Sequence, residues 1–123
     1  MEQYFEDETE DDVEVKMDKL YVLNTPILTA YGNWSFKQLT LYETRVILYD
    51  AVNIVSAVGH EATAKFMTKL FGMFIPMNRV AIHMNHGEKA IVFKLIDRLP
   101  EGKILSFKEM ENVKYEIGLL RRE

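Results

Sequence analysis

"NRVAIHMNHGEKAIVFKLI", residues 78–96, decides what kind of sheet this chain builds. Two runs that favour strands, 78–84 and 89–96, flank the polar stretch "NHGE". Side chains alternate with period two along a strand. The first run therefore sends Val80, Ile82 and Met84 to one face, and Arg79, Ala81 and His83 to the other. Gly87 supplies the turn, so the segment predicts a β-hairpin. Elsewhere strands and helices interleave. A hairpin inside such an order forces antiparallel pairing into the sheet, which is therefore predicted to be mixed.

Working outward, "KLYVLN" (19–24) reads as a first strand and "WSFKQLT" (34–40) as a second, joined by an ordered loop with Pro26 and Gly32 as breakers. "TLYE" (40–43) is a capping box that opens a helix to about Tyr49. "NIVSAV" (53–58) is a short apolar strand expected to be buried on both faces. A second helix runs from about His60 to Leu70, with Ala62, Phe66 and Leu70 on one stripe and Gly72 as its stop. After the hairpin come a loop, "DRLPEGKIL", and a second capping box, "SFKE" (106–109). The box opens a short helix, and "KYEIGLLRR" (114–122) is the closing strand. The predicted order is β-β-α-β-α-β-β-α-β: a compact α/β domain with a mixed sheet of five or so strands flanked by helices.

At 123 residues the chain fits one domain. It contains no cysteine, which removes disulfides, thiolate metal sites and thiol nucleophiles, and which suits a reducing cytoplasm. No apolar run reaches the roughly 18 residues that span a bilayer, and the acidic start does not read as a targeting segment. The net charge of -4 hides an asymmetry: residues 1–19 carry -7 and the remainder +3. Residues 1–18 therefore read as an acidic, disordered leader ahead of a mildly basic domain over 19–123. Such a body suits a small anionic ligand but falls short of a surface that coats duplex DNA.

The chemistry concentrates in three places. In "SAVGHEATAKF" (56–66) a strand, Gly59 and a helix start succeed one another, with His60 at the seam. Gly59 allows close approach to a ligand, and the free N–H groups of a helix start favour an anion, phosphate especially. The positive helix end disfavours an imidazolium and a bound phosphodiester favours it, a balance suited to proton donation. Against this stands the plainer possibility that His60 only caps or packs. Arg79 lies on the non-core face of its run, as a fork suited to phosphate or as a solvated surface group. "RLPEGKIL" (98–105) places Arg98, Glu101 and Lys103 on a Pro/Gly loop, as a site or as a solvated turn. "HMNH" (83–86) has no HExxH or cysteine set around it, so a polar hairpin tip is expected rather than a metal site. Walker, GxGxxG and GxSxG motifs are absent.

Taken together, "YVLNTPILTAYG", "SAVGHEAT", "NRVAI", "RLPEGKIL" and "YEIGLLRR" resemble the viral ring nucleases, the type III anti-CRISPR proteins of archaeal viruses, phages and other mobile elements. The resemblance covers roughly residues 19–122 and keeps the order of the motifs and the His60–Arg79 and Arg79–Arg98 intervals. It implies a compact homodimer on a mixed sheet that opens cyclic tetra-adenylate without a metal or cofactor. A ribose 2′-hydroxyl would attack its phosphate, giving linear di-adenylates with 2′,3′-cyclic phosphate ends. By resemblance, His60 is the general acid and Glu101 its assistant. Asn24, Gly59, Thr63, Arg79, Lys94 and Arg98 hold the ligand, which lies on the dimer's two-fold axis. Lys94 stands where glutamine is expected, Asp97 where a neutral polar residue is, and Ile27 where some relatives have serine. Two other functions fit the same fold: a non-catalytic module that sequesters or senses a cyclic oligonucleotide, and an interaction protein with a vestigial pocket. The first keeps the arginines but needs no acid at position 60.

Overall fold

A computed structural model of the protein describes residues 19–99 and 105–123. Among the described residues the elements are β1 (Leu20–Leu23), β2 (Trp34–Leu39), α1 (Leu41–Asp50), β3 (Ile54–Ser56), α2 (Glu61–Phe71), β4 (Lys89–Leu95), α3 (Phe107–Met110) and β5 (Tyr115–Arg122). The five strands form one sheet in the order β2-β5-β4-β1-β3. β1 runs parallel to both β3 and β4, and β5 is antiparallel to β4 and β2. The domain is thus α/β with a mixed sheet, as the sequence predicts.

The reason for the mixing differs from the expected one. Residues 78–84 do not form a strand. Both edges of β4 are taken, one by β1 and one by β5, so no ladder position remains beside it. Groups along 78–84 instead bond side chains and loops. The Asn78 N–H donates to the Val58 carbonyl, the Tyr21 hydroxyl to the His83 carbonyl at 3.2 Å, and the Met84 N–H to Thr29 Oγ1 at 3.0 Å. Gly87 does turn the chain, at φ +86, but the turn delivers it from a crossing segment into β4. The antiparallel partner of β4 is the closing strand. A second correction concerns β3. It is an edge strand, and Ile54 and Val55 are only half-buried, so it is not covered on both faces.

The helices follow from their caps. Thr40 and Ser106 each complete a capping box, with Glu43 and Glu109, at the starts of α1 and α3. Gly72 ends α2 in the left-handed conformation at φ 70, with its N–H donating to the Thr68 carbonyl. All three helices pack on one face. Leu48, Phe66, Met67 and Met110 close over Val22, Ile91, Phe93 and Ile117. Phe93 stacks on Tyr115 at 5.2 Å between ring centres and meets Phe66 at 5.6 Å. The other face carries Tyr21, Leu23, Ala90, Val92 and Leu120. It is covered by irregular chain, chiefly Met84 and Ile82, rather than by a helix. Because both faces are covered, Ala90–Phe93 is a continuous buried run. Burial first, and the Glu88 carboxylate second, hold the Tyr21 phenol above its ordinary range, so it stays a neutral donor.

This topology positions the candidate site. β1, β3 and β4 are neighbours running the same way, so their carboxyl ends share one sheet edge. In open α/β sheets that edge is where ligands bind. Lys19, the first described residue, precedes β1 at the opposite edge. The acidic leader over 1–18 lies outside the described residues.

Candidate functional site

Asn24 leaves β1, Gly59 and His60 follow β3, and Arg98 follows β4, all at the carboxyl edge. His60 is the N-cap residue of α2, with extended backbone at φ -135, ψ 122. Its side chain makes no cap hydrogen bond and is exposed, which disposes of capping as the reason for a histidine here. The α2 ladder begins with the Ala64 N–H donating to the His60 carbonyl at 3.0 Å. The Glu61, Ala62 and Thr63 amides precede that ladder, beside the imidazole. Thr63 is buried, so its side chain packs under this turn rather than presenting itself to solvent.

Arg79 is exposed but not idle. Its Nε and one terminal nitrogen donate to the Gly59 carbonyl at 3.1 and 2.8 Å. The fork therefore holds the peptide immediately before His60, and its other terminal nitrogen stays available to an anion. The side chain also occupies the space beside Gly59, where an added Cβ would stand 3.4 Å from Arg79 Cγ, in ordinary contact.

Two residues that sequence reasoning passed over brace this arrangement. Ser56 Oγ donates to the Pro76 carbonyl at 2.7 Å, and Asn78 Nδ2 donates to the Ser56 carbonyl at 2.7 Å. With the Asn78 N–H on the Val58 carbonyl at 2.8 Å, these bonds bind 76–78 to 56–58 and so carry Arg79 to Gly59. Both open stretches that carry the resemblance, but neither residue type alone signals a brace, since a serine or asparagine borders many strand ends.

Lys94 lies on the sheet face away from the helices, opposite Glu116 in register, and is exposed. It borders a cavity of about 210 Å³ with Pro26, Phe36, Gln38, Val92 and Glu116. Asp97 is committed elsewhere, since its Oδ2 accepts from the Lys114 N–H at 2.9 Å and pins the end of β4 to the start of β5. Glu101 lies outside the described residues, as do Pro100, Gly102 and Lys103. A larger hollow of about 350 Å³ sits at the amino edge near Lys19, Val52 and Lys89, away from His60. Size alone does not point to the chemistry.

Among the described residues, no three His, Asp or Glu side chains gather as a metal site. His86 Nδ1 lies 2.8 Å from the Glu123 carbonyl, and Glu88 accepts from the Asn85 and Lys19 N–H groups. No helix among them is long and apolar enough to cross a membrane.

The fold and the edge together define an α/β protein with helices on one sheet face and an exposed histidine at the carboxyl ends of three parallel strands. The chain belongs to the STIV B116-like family, whose model matches residues 20–117. It is 39% identical over 105 residues to "Uncharacterized protein 26" of a Sulfolobus islandicus filamentous virus, covering 81% of this chain and 88% of that one. It is 35% identical over 102 residues to "Uncharacterized protein YddF" of Bacillus subtilis, covering 81% and 94%. It is 32% identical over 108 residues to "Uncharacterized protein ORF117" of Acidianus two-tailed virus, covering 84% and 92%. Among solved structures, B116 of Sulfolobus turreted icosahedral virus matches with a TM-score of 0.75 at 23% identity, covering 85% of this chain and 99% of that one. That likeness speaks for the fold. The relatives place the family in archaeal viruses and in a bacterium.

Proposed function

We propose that this protein is a metal-independent ring nuclease that opens cyclic tetra-adenylate and so antagonises type III CRISPR signalling. The observation that carries this reading is the free imidazole of His60, set beside the unladdered amides of α2 and steadied through Gly59 by Arg79. In the reaction a ribose 2′-oxygen forms a bond to its neighbouring phosphorus, and the bond from phosphorus to the 5′-oxygen breaks. The His60 imidazolium gives its proton to that departing oxygen. The α2 amides, the free nitrogen of Arg79 and Arg98 share the growing negative charge on the phosphorane. Glu101 assists near the 2′-hydroxyl, whose proton it accepts. The protein works as a homodimer in the host cytoplasm.

The test is incubation with cyclic tri-, tetra- and hexa-adenylate in EDTA, with products resolved by chromatography. Linear di-adenylate with cyclic phosphate ends is the expected product. If every ring survives while tight binding is retained, the enzyme gives way to a sequestering module.

A further inference from the structure

The cavity beside Lys94 contains more than a phosphate site needs. Phe36 is 55% exposed on β2, although it belongs to the apolar set of that strand. Its ring edge fills the place of a missing side chain: a Cβ on Gly118 would stand 2.4 Å from Phe36 Cε1 and 2.6 Å from Cζ. Gly118 is buried beneath it, and the rest of the ring remains open to solvent. Around it stand Pro26, Gln38, Lys94 and Glu116, enclosing about 210 Å³. An aromatic ring laid against a glycine on a strand, with amide, carboxylate and ammonium groups at its rim, is a platform for a nucleobase.

We infer that this cavity holds an adenine base of the bound ring, stacked on Phe36; the inference rests on the ring-nuclease reading. Gln38 lies directly across the ladder from Gly118. A glutamine amide both accepts from the adenine amino group and donates to the adjacent ring nitrogen, and a carboxylate such as Glu116 accepts only from an amino group. The rim therefore prefers adenine to a base with a carbonyl at that position. The placement fits the sheet order. β4, which carries Lys94, is two strands from β3 and two from β2. Across the strands, at about 4.8 Å each, Lys94 is offset roughly 10 Å from β3 and from β2. Along them, Phe36 is level with Ala90, nearer the amino edge than Lys94, and its ring leans toward Gly118, level with Val92. In strand order Lys94 thus lies between the His60 side of the sheet and the Phe36 platform. Lysine in place of glutamine at 94 then adds a backbone contact between cleavage point and base, while the amide that reads the base sits at Gln38.

The experiment has two arms. In the first, the full-length wild-type protein is followed by NMR while adenosine 5′-monophosphate or ribose 5-phosphate is added. The Phe36 ring protons and the Gly118 amide are expected to shift with the nucleotide and not with the sugar phosphate. Equal shifts with both, or none with either, overturn the base site. In the second arm, Phe36→Leu is expected to raise KM for cyclic tetra-adenylate about tenfold, within the range that one base-stacking contact contributes, and to leave kcat within about twofold. Phe36→Trp restores KM. Gly118→Ala, which displaces the ring while keeping an allowed backbone, behaves like Phe36→Leu. If the wild type cleaves and Phe36→Leu matches it, the base site falls and the nuclease reading stands. If the wild type cleaves nothing yet the Phe36 protons respond to the nucleotide, the nuclease reading falls and the base site stands. If Phe36→Leu dissociates an otherwise dimeric protein, the cavity receives a second copy, and the base site is again overturned.

Discussion

At the scale of single residues, the proposed function would have His60 and Arg79 divide the work in a way that kinetics can separate. The His60 imidazole makes no cap bond, so its removal leaves the start of α2 as it was. A general acid contributes on the order of 10²–10⁴ in rate. His60→Ala should therefore lose that much kcat in single-turnover cleavage, with affinity changed less than about threefold. Equal turnover by variant and wild type would refute the role. Arg79 acts partly through Gly59. Lysine keeps the charge but cannot hold the Gly59 carbonyl with a two-pronged contact at 3.1 and 2.8 Å. Arg79→Lys should thus lower kcat more than it raises KM, whereas Arg79→Ala should worsen both. If lysine restored wild-type kcat, the clamp on Gly59 would have no part in placing the acid. Gly59→Ala serves as the control for crowding: an added methyl fits against Arg79 in ordinary contact, so the fold should survive it. Lost affinity would then report the approach of the ligand itself.

At the scale of elements, the caps were legible and the crossing segment was not. Thr40 with Glu43, Ser106 with Glu109, and Gly72 are legible because each works within four residues of chain. The 78–84 run alternates as a strand does, and nothing local tells it that β1 and β5 already occupy both edges of β4. That is a fact of topology. The candidate site is legible in the same uneven way. His60, Arg79 and Arg98 carry recognisable chemistry, while Ser56 and Asn78, which bring Arg79 to Gly59, are ordinary polar residues until the fold apposes them. The capping box at α1 gives a pH prediction with a definite sign. The Thr40 backbone N–H, then the Thr40 hydroxyl, hold the Glu43 carboxyl below its ordinary value of 4.5. A depressed folded pKa means stability present above the unfolded value and lost as pH falls through the folded one. Melts of the wild type and of Glu43→Gln should differ near neutral pH and converge as pH drops below about 4.5. A gap that persisted through that range would show that the carboxylate contributes nothing there. Thr40→Ala removes the oxygen that accepts the Glu43 N–H and should cost about 1 kcal/mol.

At the scale of the whole molecule, exposed apolar side chains on two irregular segments bear on assembly. Leu28 is 64% exposed and Tyr31 fully so, on the loop after β1, and Val80 is 49% exposed on the crossing segment. The two segments are tied together by Met84 N–H to Thr29 Oγ1. Exposed apolar groups on adjoining segments are what a partner surface requires. A ring of four identical nucleotides has a two-fold axis, and a symmetric dimer has one too. On the proposed function, a ring seated on that axis would meet two copies of His60 at opposite phosphodiesters, and two cuts would release two di-adenylates. Light scattering should give twice the 14.4 kDa chain mass, and Leu28→Glu should halve it and abolish cleavage with His60 intact. The sharper test mixes wild-type and His60→Ala chains carrying different tags and isolates the mixed dimer. With one acid on one side of the axis, a single turnover cuts one phosphodiester and stops at linear tetra-adenylate, whereas the wild-type dimer continues to di-adenylate. If the mixed dimer released di-adenylate in that first turnover as fast as the wild type, one His60 would be serving both positions, and the symmetric placement of the ring would have to be abandoned.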